Sequence, residues 1–145
     1  LLGRYLDRPD LTAEKMRDGW FRTGDIVERR GDVYYIRGRV GDRINRGGYK
    51  VYSAEVENVM SHHPLVIESA VVPVPDPVLG EKVHAFVVRC DQKLMADELH
   101  NFCSSHLSDY KVPDFFTMRD EPLPRNANGK ILKRELRDLA LTSKK

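Results

Sequence analysis

Two rhythms of apolar and polar positions run along the chain, and the switch between them divides it. Residues 25–28 and 33–37 are short β-rich runs separated by Arg29-Arg30-Gly31-Asp32, a pattern that predicts a hairpin. Arg43-Ile44-Asn45 and Lys50-Val51-Tyr52 predict a second hairpin around Gly47-Gly48, where two glycines permit positive φ. The period then lengthens. Val56, Val59 and Met60 share one helical stripe behind Ser53, which is placed to cap it, and His63-Pro64 stops it. Residues 67–74 and 82–89 are apolar β-rich runs of the kind that lie centrally in a sheet covered by helices. Three prolines, Pro73, Pro75 and Pro77, predict a loop over 73–80. Met95, Leu99, Phe102, Cys103 and Leu107 recur at spacings of three and four and predict a helix. Residues 115–118 follow as a short strand, and Leu132, Leu136, Leu139 and Ala140 stripe a last helix. Ahead of all this, residues 1–20 read as a connector with a helical turn at 12–17, capped by Thr12.

The elements add up to an α+β fold from about residue 40: a small three-stranded mixed sheet with flanking helices plus β-hairpins. The first hairpin and the connector carry too few apolar residues to make a core alone. A length of 145 residues is enough to bury about two thirds of the unfolded surface. With 24 Lys plus Arg against 22 Asp plus Glu the net charge is +2, far from the basic excess of a general nucleic-acid binder. Cys90 and Cys103 show neither CxxC nor metal-ligand spacing and are expected to be small core residues of a cytosolic protein. The adjacent His62 and His63 point to different sides of a helix and read as a surface pair; His84 and His106 read as structural, and no metal site is expected. No apolar run approaches the roughly 20 residues that cross a bilayer, and no signal peptide opens the chain. It begins with Leu1 and not Met, so a longer parent is expected.

Three stretches break local rules. In "PRNANGKILKREL", 124–136, Lys130 follows Gly129 and opens what reads as the last helix, with Arg125, Lys133 and Arg134 around it. Helix starts favour carboxylates, because the aligned peptide dipoles make that end positive. The stretch is either a solvated basic helix end or a place kept for an anion supplied from elsewhere. "GWFRTGD", 19–25, ends in Asp25 at the head of a β run, where Asp is disfavoured. It is either a Gly-Asp turn or a pair of acceptor oxygens suited to a vicinal diol. "GRVGDRINRGGYK", 38–50, offers the planar fork of Arg39 to phosphate or ribose oxygens, and Gly47-Gly48 as a close backbone approach. A hairpin with surface arginines accounts for the same residues. A separate alternative is a stand-alone basic module that binds nucleic acid through Arg30, Arg37, Arg39, Arg43 and Arg46. Near-neutral charge and the lack of interleaved aromatics count against it.

The order of these stretches resembles the last part of the adenylate-forming superfamily, which includes acyl-CoA synthetases, aryl-acid ligases, luciferases and peptide-synthetase adenylation domains. The resemblance is carried by "GWFRTGD", "GRVGDRINRGGYKVYSAEVEN", "HHPLVIESAVVPVPDPVLGEKVHAFVV", "YKVPDFF" and "LPRNANGKILKREL", over nearly the whole chain. It implies that residues 1–38 are the tail of a large N-terminal AMP-binding domain and 39–145 the mobile C-terminal lid domain. It implies an ATP-dependent, AMP-forming acid-thiol ligase of the cytoplasm that makes an acyl-adenylate and transfers the acyl group to CoA. ATP and Mg2+ would be held mainly by the missing N-terminal domain, with CoA as co-substrate, no nucleic acid and no membrane span. By position, Lys130 matches the lysine that enters the site during adenylation, Asp25 the ribose-binding residue and Arg39 a nucleotide contact. Gly41 and Asp42 fall at the hinge. The family commonly has Asp or Lys where Gly41 stands, so a looser hinge is expected. Gly47 and Gly48 fall on the loop bordering the pantetheine tunnel. Tyr110 is placed to meet the CoA adenine, although Val112 and Asp114 supply no cation for its phosphates. "INRGGYK" is also similar to aryl-acid ligases that load carrier-protein phosphopantetheine, whereas "PRNANGKILKREL" is commoner among CoA synthetases. The phosphate loop, adenine pocket and acyl pocket of the family lie upstream, so the 145-residue piece is expected to be inactive alone.

Overall fold

Residues 3–142 are described by the computed structural model, in which the chain divides into two units, Leu1–Gly41 and Asp42–Lys145. The first unit contains helix α1 (Pro9–Lys15), the short strands β1 (Met16–Arg17) and β2 (Trp20–Phe21), and a hairpin of β3 (Asp25–Arg30) and β4 (Val33–Arg39). Helix α1 starts at Pro9, not at Thr12, because a proline in the first turn has its φ already set and its missing N–H is no loss there. Thr12 lies inside the helix, where its hydroxyl donates to the Arg8 carbonyl at 2.9 Å and accepts the Tyr5 N–H at 3.0 Å. Residues 16–17, expected to be helical, pair with 20–21 as strands. The β3–β4 hairpin turns at Gly31-Asp32 with Gly31 at φ +60°. It leaves Val27, Val33, Tyr34, Tyr35 and Ile36 exposed, and no described residue of this unit is fully buried.

The second unit contains β5 (Arg43–Arg46), β6 (Tyr49–Tyr52), α2 (Ser53–Met60), β7 (Val66–Asp76), β8 (Gly80–Arg89), α3 (Ala96–His106), β9 (Phe115–Arg119) and α4 (Lys133–Thr142). Strand β8 pairs antiparallel with β7 and parallel with β9, the mixed three-stranded core expected from the pattern. The β5–β6 hairpin is not separate: Arg46 pairs with Gly80 and extends the sheet to five strands. Alternation along β8 splits the core. Val83, Ala85 and Val87 pack with Val56, Met60, Leu99 and Cys103 of α2 and α3. Phe86 and Val88 pack with Leu123, Leu136 and Ala140, the latter two from α4.

The expected loop over 73–80 shrinks to three residues, since β7 runs on through Pro73 and Pro75 to Asp76. The physical reason is that β7 is an edge strand. The Val71 N–H points out of the ladder to a Glu57 carboxylate oxygen at 2.7 Å, so positions 73 and 75, on the same alternation, need no donor. Ser53 does not cap α2; its hydroxyl donates to the Asp42 carbonyl at 2.7 Å. Cys90 is exposed just beyond β8, whereas Cys103 is buried and its thiol is pushed up to about 11 by that burial. His63 is buried too, not superficial: the turn after α2 sets its Nε2 3.5 Å from a Glu98 oxygen and its ring edge-on to Phe102.

Asp76 closes the β7–β8 connection. Lys82 Nζ lies 2.8 Å from its carboxylate, and the Leu79 and Val78 amides donate to it at 2.9 and 3.0 Å. Lys82 first, and then these amides, hold the carboxyl at about 2, below its usual 3.8. A depressed folded-state pKa stabilises the fold above the unfolded value, and that contribution is lost as pH falls through the folded value. Asp76→Asn is therefore expected to lower the urea midpoint at pH 6 and to converge on the unaltered chain as both approach pH 2; the difference in midpoint between the two is the measurement.

Candidate functional site

Lys130 sits in a hairpin loop and not on a helix. Arg125 and Ile131 bridge across its base, the Asn126 N–H donates to the Lys130 carbonyl at 2.9 Å, and α4 begins only at Lys133. The turn is made by Asn126, whose side-chain oxygen accepts the Asn128 and Lys130 amides at 3.1 and 2.9 Å, and by Gly129 at φ +78°. The cation that meets the positive end of α4 is Lys133. It is neutralised by Glu57 at 2.8 Å and Asp42 at 3.7 Å. Arg125 is paired with Glu68. Lys130 and Arg134 have no carboxylate within ion-pair distance among the described residues, and Lys130 is exposed. The four cations thus separate into two that hold the fold and two that do not.

Asp25 and Arg39 are brought together as ladder partners at the open end of the first hairpin, with Arg39 Nε 3.4 Å from an Asp25 oxygen. Both belong to the first unit, whereas Lys130, Gly47, Gly48 and Tyr110 belong to the second. The boundary falls between Gly41 and Asp42. Asp42 is tied into the second unit by Ser53 and Lys133. Gly41 has no side chain, and among the described residues nothing lies within 4 Å of where a Cβ would sit.

Gly47 and Gly48, at φ +57° and +88°, make the β5–β6 turn, and the Gly47 N–H donates to the Leu79 carbonyl at 2.8 Å. Glycine is required there by conformation, and a Cβ on Gly47 would also lie 3.1 Å from Leu79 Cδ2, so that the leucine end would have to shift by a few tenths of an ångström. The turn is carried next to Tyr110 by two contacts. Tyr49 stacks on Tyr110 with ring centroids 4.7 Å apart, and Arg46 reaches Asp114 at 2.6 Å and the Asp109 carbonyl at 3.3 Å. Lys111, between Tyr110 and Val112, supplies a cation beside Tyr110 that the sequence reading did not count, but Glu55 holds it at 2.6 Å and is the main reason its pKa is raised. As for the arginines of the nucleic-acid alternative, Arg30 and Arg37 share Glu28, Arg39 faces Asp25 and Arg46 faces Asp114. Only Arg43 of that set carries no such partner among the described residues. Sequence reasoning missed Glu57, Glu68 and the pairing of Lys133. The available signal was Glu68 itself, a carboxylate inside an otherwise apolar strand run.

Residues 55–130, more than half of the chain, match the family model described as AMP-binding enzyme C-terminal domain. The Long-chain-fatty-acid--CoA ligase of Yersinia pestis is 46% identical over 135 residues, which cover 92% of this chain and 24% of that protein. The Fatty acid--[acyl-carrier-protein] ligase ScoC of Streptomyces coeruleorubidus is 47% identical over 137 residues, covering 92% and 26%. Among solved structures, the Mycobacterium tuberculosis fatty acyl CoA synthetase aligns at TM-score 0.73 and 40% identity, over 99% of this chain and 28% of that one. The o-succinylbenzoate CoA synthetase (MenE) of Bacillus subtilis, in complex with the acyl-adenylate intermediate OSB-AMP, aligns at TM-score 0.87 and 35% identity, over 94% and 28%. The chain therefore spans about a quarter of the length of the curated relatives it matches.

Proposed function

Since this chain belongs to the AMP-binding enzyme C-terminal domain family, we propose that it is the C-terminal part of an ATP-dependent, AMP-forming acid-thiol ligase acting on a fatty acid. In the first step a carboxylate oxygen attacks the α-phosphorus of ATP and the bond to pyrophosphate breaks. In the second the thiol of CoA attacks the acyl carbonyl, its proton is lost and AMP departs. The observation that carries the reading is Lys130: an ammonium with no carboxylate partner among the described residues, on an exposed, internally bonded loop, beside Arg125 and Lys133, which are already neutralised. Delivered to ATP held by the large domain, it offsets negative charge building between carboxylate and α-phosphate, and such preorganised charge is worth several kcal/mol, about 3 in measured cases.

Asp25 accepts hydrogen bonds from the ribose hydroxyls, and Arg39 contacts the nucleotide. Residues 1–38 are the tail of the large domain, a reading supported by the apolar side chains their hairpin leaves uncovered. Residues 39–145 are the lid, pivoting at Gly41-Asp42. Gly47 and Gly48 border the thiol tunnel, and Tyr110 meets the CoA adenine. Mg2+ accompanies ATP. Its ligands, like most of the ATP site, are assigned by the family resemblance to the large N-terminal domain; among the described residues no group of three or more His, Cys, Asp or Glu side chains is placed to hold a metal ion. No described helix is long and apolar enough to cross a membrane; the cytoplasmic location is carried over from the family resemblance alone. The choice of a fatty acid rests on the two relatives above, both of them fatty-acid ligases. One of these, ScoC, favours a second reading in which the acceptor is a carrier-protein phosphopantetheine.

Full-length protein incubated with ATP and a panel of fatty and aryl acids is expected to release pyrophosphate with fatty acids. It is then expected to form a thioester with CoA; a thioester only with a loaded carrier protein selects the second reading. Absence of acid-dependent pyrophosphate, or adenylate made by the 145-residue chain alone, overturns the assignment.

A further inference from the structure

Outside the residues given roles above, two side chains connect the sheet to Gly129, the residue before Lys130, through an unbroken run of hydrogen bonds. Glu68 sits on β7 opposite Val88, and its side chain is only 18% exposed. One of its oxygens accepts the Leu123 N–H at 2.9 Å, and the other accepts from Arg125 Nη2. The second terminal nitrogen of Arg125 donates to the Gly129 carbonyl at 2.7 Å, and that carbonyl belongs to the peptide bond leading into Lys130. A single guanidinium thus reaches from the sheet to the residue before Lys130.

Among the described residues, nothing else in the loop reaches the sheet. Residues 125–130 are all exposed, and no apolar side chain among them enters the core; Leu123 before them is buried and Ile131 after them is half-buried. The remaining bonds of the loop, centred on Asn126, are internal. Internal bonds fix the shape of a turn but not where it points. Aim has to come from ties to something rigid: Leu123 and Ile131 anchor the ends of the loop, and Glu68–Arg125 is the tie made by a side chain of the loop itself. The chemistry suits the task, because a guanidinium can serve a carboxylate and a carbonyl at once through its fixed fork, whereas one ammonium serves either.

We propose that Glu68 and Arg125 are positioning residues that aim Lys130 for acyl-adenylate formation. This rests on the reading of Lys130 given above. The test uses the full-length enzyme carrying Arg125→Lys, Glu68→Gln or both, with the two half-reactions followed separately and the melting temperature recorded. Arg125→Lys keeps the charge but not the bridge. Each single variant is expected to lower the rate of adenylate formation about 10- to 100-fold, the order that a misplacement of about 1 Å produces. KM for ATP and acid is expected to stay within about twofold and thioester formation from supplied acyl-adenylate to be unchanged, and the double variant to be no worse than the poorer single one. Arg89→Lys is the control: Arg89 is likewise a bridge, to Asp120 and to the Gln92 and Leu94 carbonyls, and its loss is expected to lower melting temperature without selective loss of adenylation. Wild-type adenylation by folded Arg125→Lys, or an equal fall in both half-reactions, overturns the proposal. If Lys130→Ala silences adenylation while neither Arg125→Lys nor Glu68→Gln affects it, the positioning role alone is wrong. If Lys130→Ala itself has no effect, the functional reading fails and the positioning role with it.

Discussion

Replacing Lys130 by Ala in the full-length ligase is expected to slow acyl-adenylate formation about 10²- to 10³-fold, the usual cost of removing one preorganised charge or donor at a transition state. Stability should barely change, because Lys130 makes no side-chain contact with a carboxylate among the described residues, and its backbone bonds to Asn126 do not need the ammonium. Thioester formation from supplied acyl-adenylate should be unaffected, since on the proposed reading the pyrophosphate charge is by then gone and the lid has moved. Lys130→Arg separates charge from shape: a guanidinium keeps the charge but spreads it over a rigid plane, and an intermediate loss is expected. Single-turnover assays of the two half-reactions, alongside thermal melts, decide the matter. A Lys130→Ala enzyme that makes adenylate at the normal rate removes the lysine from the chemistry.

How far the sequence revealed all this depends on range. The β3–β4 and β5–β6 turns were readable because Gly31, Gly47 and Gly48 advertise positive φ within the segment itself. The stripes of α3 and α4 were readable because Leu99, Cys103, Leu136 and Ala140 recur at the helical period. What failed was non-local. Pro73 and Pro75 read as loop residues because nothing in the sequence says that β7 lies at a sheet edge, where a missing donor costs little. Ser53 read as a cap because its true partner, the Asp42 carbonyl, is set by tertiary packing. Lys130 read as opening a helix that starts three residues later, because the Arg125–Ile131 bridge pulls the segment into a turn. The positions proposed above to serve function, Lys130, Asp25 and Arg39, were singled out because charged or turn-forming residues that defy their local setting stand out in a sequence. Their neutralised neighbours could be told apart from them only by seeing Glu57 and Glu68 in place.

Leu136→Ala carries the largest expected loss of stability. Its side chain is fully buried against the β7–β8 face with Val72, Val74, Phe86 and Ala140, and the loss of a leucine from such a site costs about 2–5 kcal/mol. That corresponds to a fall of roughly 4–8 °C in melting temperature per kcal/mol for a domain of this size. A second consequence follows from position. Leu123 and Ile131, the residues on either side of the Lys130 loop, belong to the same cluster, so a void at Leu136 loosens the base from which the loop leaves. Leu99→Ala opens a comparable void in the opposite layer, beneath α2 and α3, where no residue of the loop takes part. Both variants of the full-length enzyme are expected to melt earlier, but only Leu136→Ala should also lose adenylation at temperatures where the lid remains folded. Near-ultraviolet circular dichroism gives the folded fraction, and the adenylation rate divided by that fraction is the deciding quantity. Equal values for the two variants would mean that the packing under α4 holds the domain together without helping to place Lys130.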